Sequence, residues 1–66
     1  MSSQLIKLHD FANTRNVDLV ADIDKNGEVT NIYDYNGNEL KINFLRYEVY
    51  FQRTWWHFDK KQPVQK

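Results

Sequence analysis

A short N-terminal helix packed on an antiparallel β-meander of three to four strands is the α+β fold that the sequence predicts. Three observations lead there. Two ten-residue stretches, ADIDKNGEVT and NIYDYNGNEL, align without a gap from residue 21 to 40, and each carries an Asn-Gly pair. Segments rich in Val, Ile, Tyr and Phe flank both pairs. Ahead of them, Leu5, Leu8 and Ala12 share one helical face, with Phe11 beside them. A small SH3-like β-barrel is the main alternative, and three strands followed by a C-terminal helix is another.

At the N-terminus, Ser2 or Ser3 can cap a helix, because a serine hydroxyl accepts from the orphan N–H groups of a first turn. The helix is placed at 4–13 and ends at Asn13, since Asn tolerates the left-handed conformation that closes helices. A strand over 4–9 competes, because Leu-Ile-Lys-Leu suits an edge. The strand that follows puts Val17, Leu19 and Ala21 on one face. The Asn26-Gly27 and Asn36-Gly37 pairs are the strongest short-range hairpin signal, expected as tight two-residue turns with φ > 0 at both positions. The second strand carries Val29, Ile32, Tyr33 and Tyr35. In the third, Leu40, Ile42 and Phe44 alternate with Lys41 and Asn43, as in a half-buried strand.

Residues 45–58 fit two periods. Leu45, Tyr47, Val49 and Phe51 alternate with polar neighbours, which favours one long strand to Trp56. Phe44, Tyr47, Phe51, Trp55 and Phe58 also follow helical spacing, and a helix is the runner-up. In the strand register Trp55 belongs to the core, while Tyr50 and Trp56 face outward. Residues 60–66 are polar, hold the only proline and read as a frayed tail to a single domain spanning 1–66.

A chain of 66 residues buries only about 60% of its unfolded surface, so a monomer is marginal. No cysteine is present to add a disulfide. Ten aromatic residues, four Phe, four Tyr and two Trp, supply buried area instead. A homodimer is the other common remedy. No apolar run approaches the ~20 residues that span a bilayer, and residues 1–10 lack a signal-peptide pattern. A cytoplasmic protein without membrane association is expected.

Net charge is zero, yet the halves differ. From Asp10 to Glu39, Asp10, Asp18, Asp22, Asp24, Glu28, Asp34 and Glu39 outnumber Arg15 and Lys25. Lys41, Arg46, Arg53, Lys60, Lys61 and Lys66 outnumber Glu48 and Asp59 in the second. Only the second half suits a polyanion.

Motifs for chemistry are sparse. Asp22, Asp24, Asn26 and Gly27 match the start of an EF-hand calcium loop, but its bidentate Glu is replaced by Tyr33. Two histidines, His9 and His57, do not make a zinc cluster. No metal, cofactor or catalytic residue is expected, and enzymatic activity is not. Tyr33 to Asn38 resembles one unit of the YD repeats of large Rhs-type shells. Such units bury their apolar faces only by stacking on neighbours, so one copy implies no function here.

The aromatic and basic end of the chain carries the functional expectation. Arg46, Tyr50, Arg53, Trp56, Lys60 and Lys61 are the candidate binding residues. Trp, Tyr and Arg dominate protein–protein hot spots, so a small interaction or regulatory protein with a protein partner is the first reading. The second is nucleic-acid binding, with Tyr50 and Trp56 stacking on bases while Arg46, Arg53, Lys60 and Lys61 follow phosphates. In composition the chain is similar to short bacteriophage and mobile-element proteins that act as inhibitors or regulators.

Overall fold

The computed structural model describes residues 2–62. The chain forms six antiparallel strands: β1 (Ser2–His9), β2 (Asn16–Ile23), β3 (Val29–Ile32), β4 (Ile42–Asn43), β5 (Glu48–Phe51) and β6 (Thr54–His57). Their order in the sheet is β3-β2-β1-β6-β5-β4. Consecutive strands are neighbours except β3 and β4, which form the two edges, and the His9–His57 pair joins the first strand to the last. Between β3 and β4 the Leu40 N–H donates to the Ile32 carbonyl at 2.9 Å. The result is a nearly closed barrel. The α+β expectation is thereby corrected, and the small-barrel alternative is the one that fits.

The predicted helix at 4–13 is strand β1. Spacing of Leu5, Leu8 and Ala12 satisfied a helical stripe, but the barrel uses period two. Ile6 and Leu8 point inward and are buried, whereas Leu5 faces out opposite Val20. Ala12 lies exposed in the following turn. Asp10 organises that turn, its carboxylate accepting from the Thr14 and Arg15 N–H groups. Asn13 adopts the left-handed conformation, φ 58°, to close a β-turn rather than a helix.

Both Asn-Gly segments are hairpins, but of a different type from the one expected. Asp24 and Asp34 each accept, through Oδ1, the N–H groups two and four residues ahead, at 2.9 Å. Gly27 and Gly37 N–H return to the Asp24 and Asp34 carbonyls. Only the glycines have positive φ, 82° and 85°, so Asn26 and Asn36 do not. Each is a three-residue loop, a turn followed by a left-handed glycine. The aspartate side chain selects this form by tying down the N–H groups that a two-residue turn would leave free.

A bulge follows the first hairpin. Ile23 pairs with Val29 while Asp22 pairs with Asn31, leaving Thr30 as the extra residue. That insertion lets both Val29 and Ile32 face the core although three positions separate them.

The long strand expected over 45–56 is two strands joined by a two-residue turn at Gln52 and Arg53. Both have positive φ, 53° and 64°. Non-glycine residues there cost about 1–2 kcal/mol each. In such a hairpin odd positions of one strand pair with even positions of the other: Val49 with Trp56, Tyr50 with Trp55. Tyr47, Val49 and Phe51 lie inward, as the alternation predicts. Past the turn the parity flips. Trp56 is therefore core, at 2% exposure, while Trp55 lies on the outer side of the hairpin and is half-buried. The expected exposure of Trp56 is corrected. Glu48, also expected outward, is buried at the start of β5.

Trp56 joins Ile6, Leu8, Leu19, Ala21, Ile23, Val29, Ile32, Val49, Phe51 and Phe58 in one apolar cluster. Its Nε1 donates to the Phe51 carbonyl at 2.9 Å, and the Arg15 guanidinium stands 5.5 Å from its ring centroid. Beyond β6 the chain lies along the β2–β3 hairpin: Gln62 N–H donates to the Gly27 carbonyl and Lys61 bridges Glu28. The rest of the expected tail, 63–66, lies outside the described residues.

Two stability outcomes follow from this packing. Trp56→Ala removes the largest buried side chain, at a cost of about 3–5 kcal/mol. That is comparable to the ~3–10 kcal/mol available to a domain this size, so its far-ultraviolet dichroism should be that of an unfolded chain at room temperature. Gly37→Ala meets backbone strain alone, since a Cβ there would touch nothing within 4 Å. Gly27→Ala adds a Cβ 3.1 Å from the Gln62 carbonyl oxygen. Thermal melts should show the larger drop for Gly27→Ala; equal drops would mean that the chain at Gln62 is not docked there.

Candidate functional site

The outer face of the β5–β6 hairpin carries the largest rings that the core does not use. Tyr50 and Trp55 are cross-strand partners, with ring centroids 5.3 Å apart and planes at 62°. Tyr50 is 42% exposed. Two pairs further on, Glu48 opposes His57, whose Nδ1 lies 3.8 Å from Glu48 Oε2. Phe11, from the β1–β2 turn, sets its ring edge-on to His57 at 4.5 Å and is itself exposed. A strip of Tyr50, Trp55, His57 and Phe11 thus runs along the outside of the barrel. It borders Lys41, whose carbonyl accepts from the Tyr50 N–H.

Not every residue expected at the site comes to this face. Tyr50 and Arg53 do, one on β5 and the other at the turn. Arg46 lies in the β4–β5 turn, at the opposite end of β5 from Arg53, beside exposed Phe44 and Leu45. The Asn43 side chain shapes that turn by accepting from the Leu45 and Arg46 N–H groups. Lys60 is drawn to Glu28 at 3.9 Å and lies over the Tyr47 ring. Lys61 bridges Glu28 through its backbone. Both therefore belong to the β2–β3 flank. Trp56 belongs to the core. Trp55, Phe11, His57 and Lys41 were missed as members of the face. A two-residue turn at Gln52-Arg53 would have exposed Trp55 by parity alone, but those residues carry no turn signature.

Charge follows the topology. Asp18, Asp22, Asp24, Asp34 and Glu39 sit on β2, its hairpin and the 33–39 loop, while Lys41, Arg46 and Arg53 sit on β4, β5 and their turns. Order β3-β2-β1-β6-β5-β4 places two strands between β2, with Asp18 and Asp22, and β5, whereas the 33–39 loop with Asp34 and Glu39 leads into Lys41 and β4.

On the acidic half Asp22 is a hub. Tyr33 Oη donates to it at 2.6 Å, Ser3 Oγ at 2.8 Å and Asn31 Nδ2 at 3.3 Å. These bonds, Tyr33's first, hold its carboxyl below the usual 3.8, and the same contact raises the Tyr33 phenol. Of the calcium-like pattern, Asp24 is engaged by its own turn and Asp22 by this network. Among the described residues no three His, Asp or Glu side chains gather as metal ligands. The serines and His9 occupy opposite ends of β1, about 20 Å apart at strand rise. No helix among the described residues is long and apolar enough to cross a membrane.

No family model matches the chain, and neither the curated proteins nor the solved structures contain a match.

The Asp22 hub has a pH signature. A carboxyl whose pKa is lowered on folding adds stability above its unfolded value, and loses it as pH falls through the folded one. The melting temperature should therefore decline below about pH 4, and decline less in Asp22→Asn. Parallel acid profiles for the two proteins would mean that Asp22 is not held by these donors.

Proposed function

We propose that this chain is a small non-enzymatic interaction module that binds a protein partner through the outer face of the β5–β6 hairpin. The observation that carries the reading is the outward Tyr50–Trp55 pair. The barrel already has a contiguous core of eleven buried apolar residues without either ring. Aromatic side chains of this size left on a rigid hairpin supply contact area at low entropic cost, which is what hot spots use. Phe11 extends the face with a further exposed ring. Zero net charge and the acidic half of the chain weigh against a phosphate backbone as the partner. The original candidates Arg46, Lys60 and Lys61 stand away from this face, and Trp56 is below it. Those displacements remove most of the support for nucleic-acid binding. Regulation of a phage or mobile-element process fits such a module and would be exerted through this contact.

Substitution separates binding from folding here. Tyr50→Ser and Trp55→Ser each remove a cross-strand contact of about 0.2–1 kcal/mol, so each variant should melt within several degrees of the parent. Capture of the cognate protein from source-cell extract should fall tenfold or more in either variant. Retained capture would place the interface elsewhere. Across 50 to 500 mM salt the affinity should change little, whereas counterion release would make a nucleic-acid complex fall steeply.

A further inference from the structure

The β5–β6 turn is built against local preference. Gln52 and Arg53 occupy two successive left-handed positions, where Asn-Gly would fit with far less strain. Strain of this kind gathers at functional sites. Nothing inside the barrel explains the choice of residues. Both side chains are exposed, and among the described residues neither has a hydrogen bond, ion pair or ring partner. The turn nonetheless sits directly beyond Tyr50 and Trp55, two positions along each strand.

We propose that Arg53 is the specificity-determining residue of this face and reads a carboxylate on an acidic segment of the partner protein. The inference rests on the reading of the Tyr50–Trp55 face as the binding surface. A guanidinium presents a rigid fork of donors that matches a carboxylate at two points. It is held at a hairpin tip, and among the described residues no acid pairs with it. Lys41, an exposed residue, pairs through its backbone with Tyr50 on the side away from Trp55. The one acid on the hairpin, Glu48, is buried beside His57. The charged groups left exposed on the hairpin and beside Tyr50 are thus cations, and an apolar segment carrying Asp or Glu is their complement. A relaxed turn would be more stable but would lose the fork.

Peptides selected from a phage-displayed random 12-mer library test this, with the Tyr50→Ser/Trp55→Ser protein as counter-selection. The expected peptides carry Asp or Glu at one recurring position beside an apolar residue. Arg53→Gln should weaken them tenfold or more. Replacing the peptide acid by its amide should cost as much against the parent protein and nothing further against Arg53→Gln. Gln52→Asn/Arg53→Gly should melt higher, by roughly 4 °C or more, and bind these peptides no better than Arg53→Gln. Peptides without a recurring acid, or an Arg53→Gln affinity within twofold of the parent, would overturn the role of Arg53 while leaving the face standing. If no peptide distinguishes the parent from the counter-selection protein, the face itself fails and Arg53 with it. Binding of a 12-nucleotide oligothymidylate that depends on Arg53 and falls steeply with salt would assign the guanidinium to phosphate, and would also overturn the proposal.

Discussion

Trp56 and the tight turn that rotates it inward are the constraint on which the barrel depends. A two-residue loop forces odd positions of β5 to share a face with even positions of β6. Trp56 then enters the core beside Val49, and its indole N–H reaches back to the Phe51 carbonyl across the turn. A buried indole without an acceptor would carry a desolvation cost, so this bond and the turn geometry support each other. The β1–β2 turn depends on the same ring, because Arg15, held by Asp10, stands over it. The seam between first and last strands, His9 against His57, lies one residue beyond it. Packing, turn and closure are thus one problem with one solution.

The two Asp-x-Asn-Gly hairpins solve a separate problem. A six-stranded barrel this small needs sharp reversals, and only two glycines are available. Each is placed where positive φ is needed, and an aspartate ahead of it gathers the free N–H groups. Their equal geometry does not give them equal surroundings. Gly27 is buried under the chain at Gln62, while Gly37 is exposed in a loop that sends Tyr35 toward Phe51, rings 5.6 Å apart. The first turn therefore anchors the end of the chain and the second covers part of the barrel.

Much of the β architecture was legible in the residues. Both glycine hairpins, the inward set of β2 and the inward set of β5 follow from turn residues and period-two alternation. Three features were hidden. In β1 the apolar residues Leu5, Ile6 and Leu8 satisfy both periods, and only pairing with β2 over eight residues selects the strand. At Gln52-Arg53 no local preference announces a turn, since both residues disfavour the conformation they adopt. That single missed reversal exchanged the roles of Trp55 and Trp56, and with them half of the expected site. Glu48 was hidden for a different reason: it is buried beside His57, nine residues away, a pairing visible only once the hairpin is formed. The Asp-Gly spacing likewise disclosed a turn but not its type, because the aspartate side chain decides between loops of two and three residues.

The same turn connects stability to the proposed binding face. A hairpin ended by Asn-Gly would keep Trp56 inside and Tyr50 and Trp55 outside, since parity depends on loop length and not on loop sequence. The fold therefore does not require Gln52 or Arg53. Their conformational strain is separable from the architecture and falls next to the Tyr50–Trp55 pair, at an arginine that has no ion pair among the described residues. A small domain has little stability to spare, so a removable strain of this size is informative in a way that it would not be in a large one. The burial of Glu48 argues in the same direction. Left exposed, it would stand next to Tyr50 and offset Lys41 and Arg53; withdrawn beside His57, it leaves the outer face with rings and positive charge. Core geometry, turn strain and charge placement thus meet in the one β5–β6 hairpin, from Glu48 to His57.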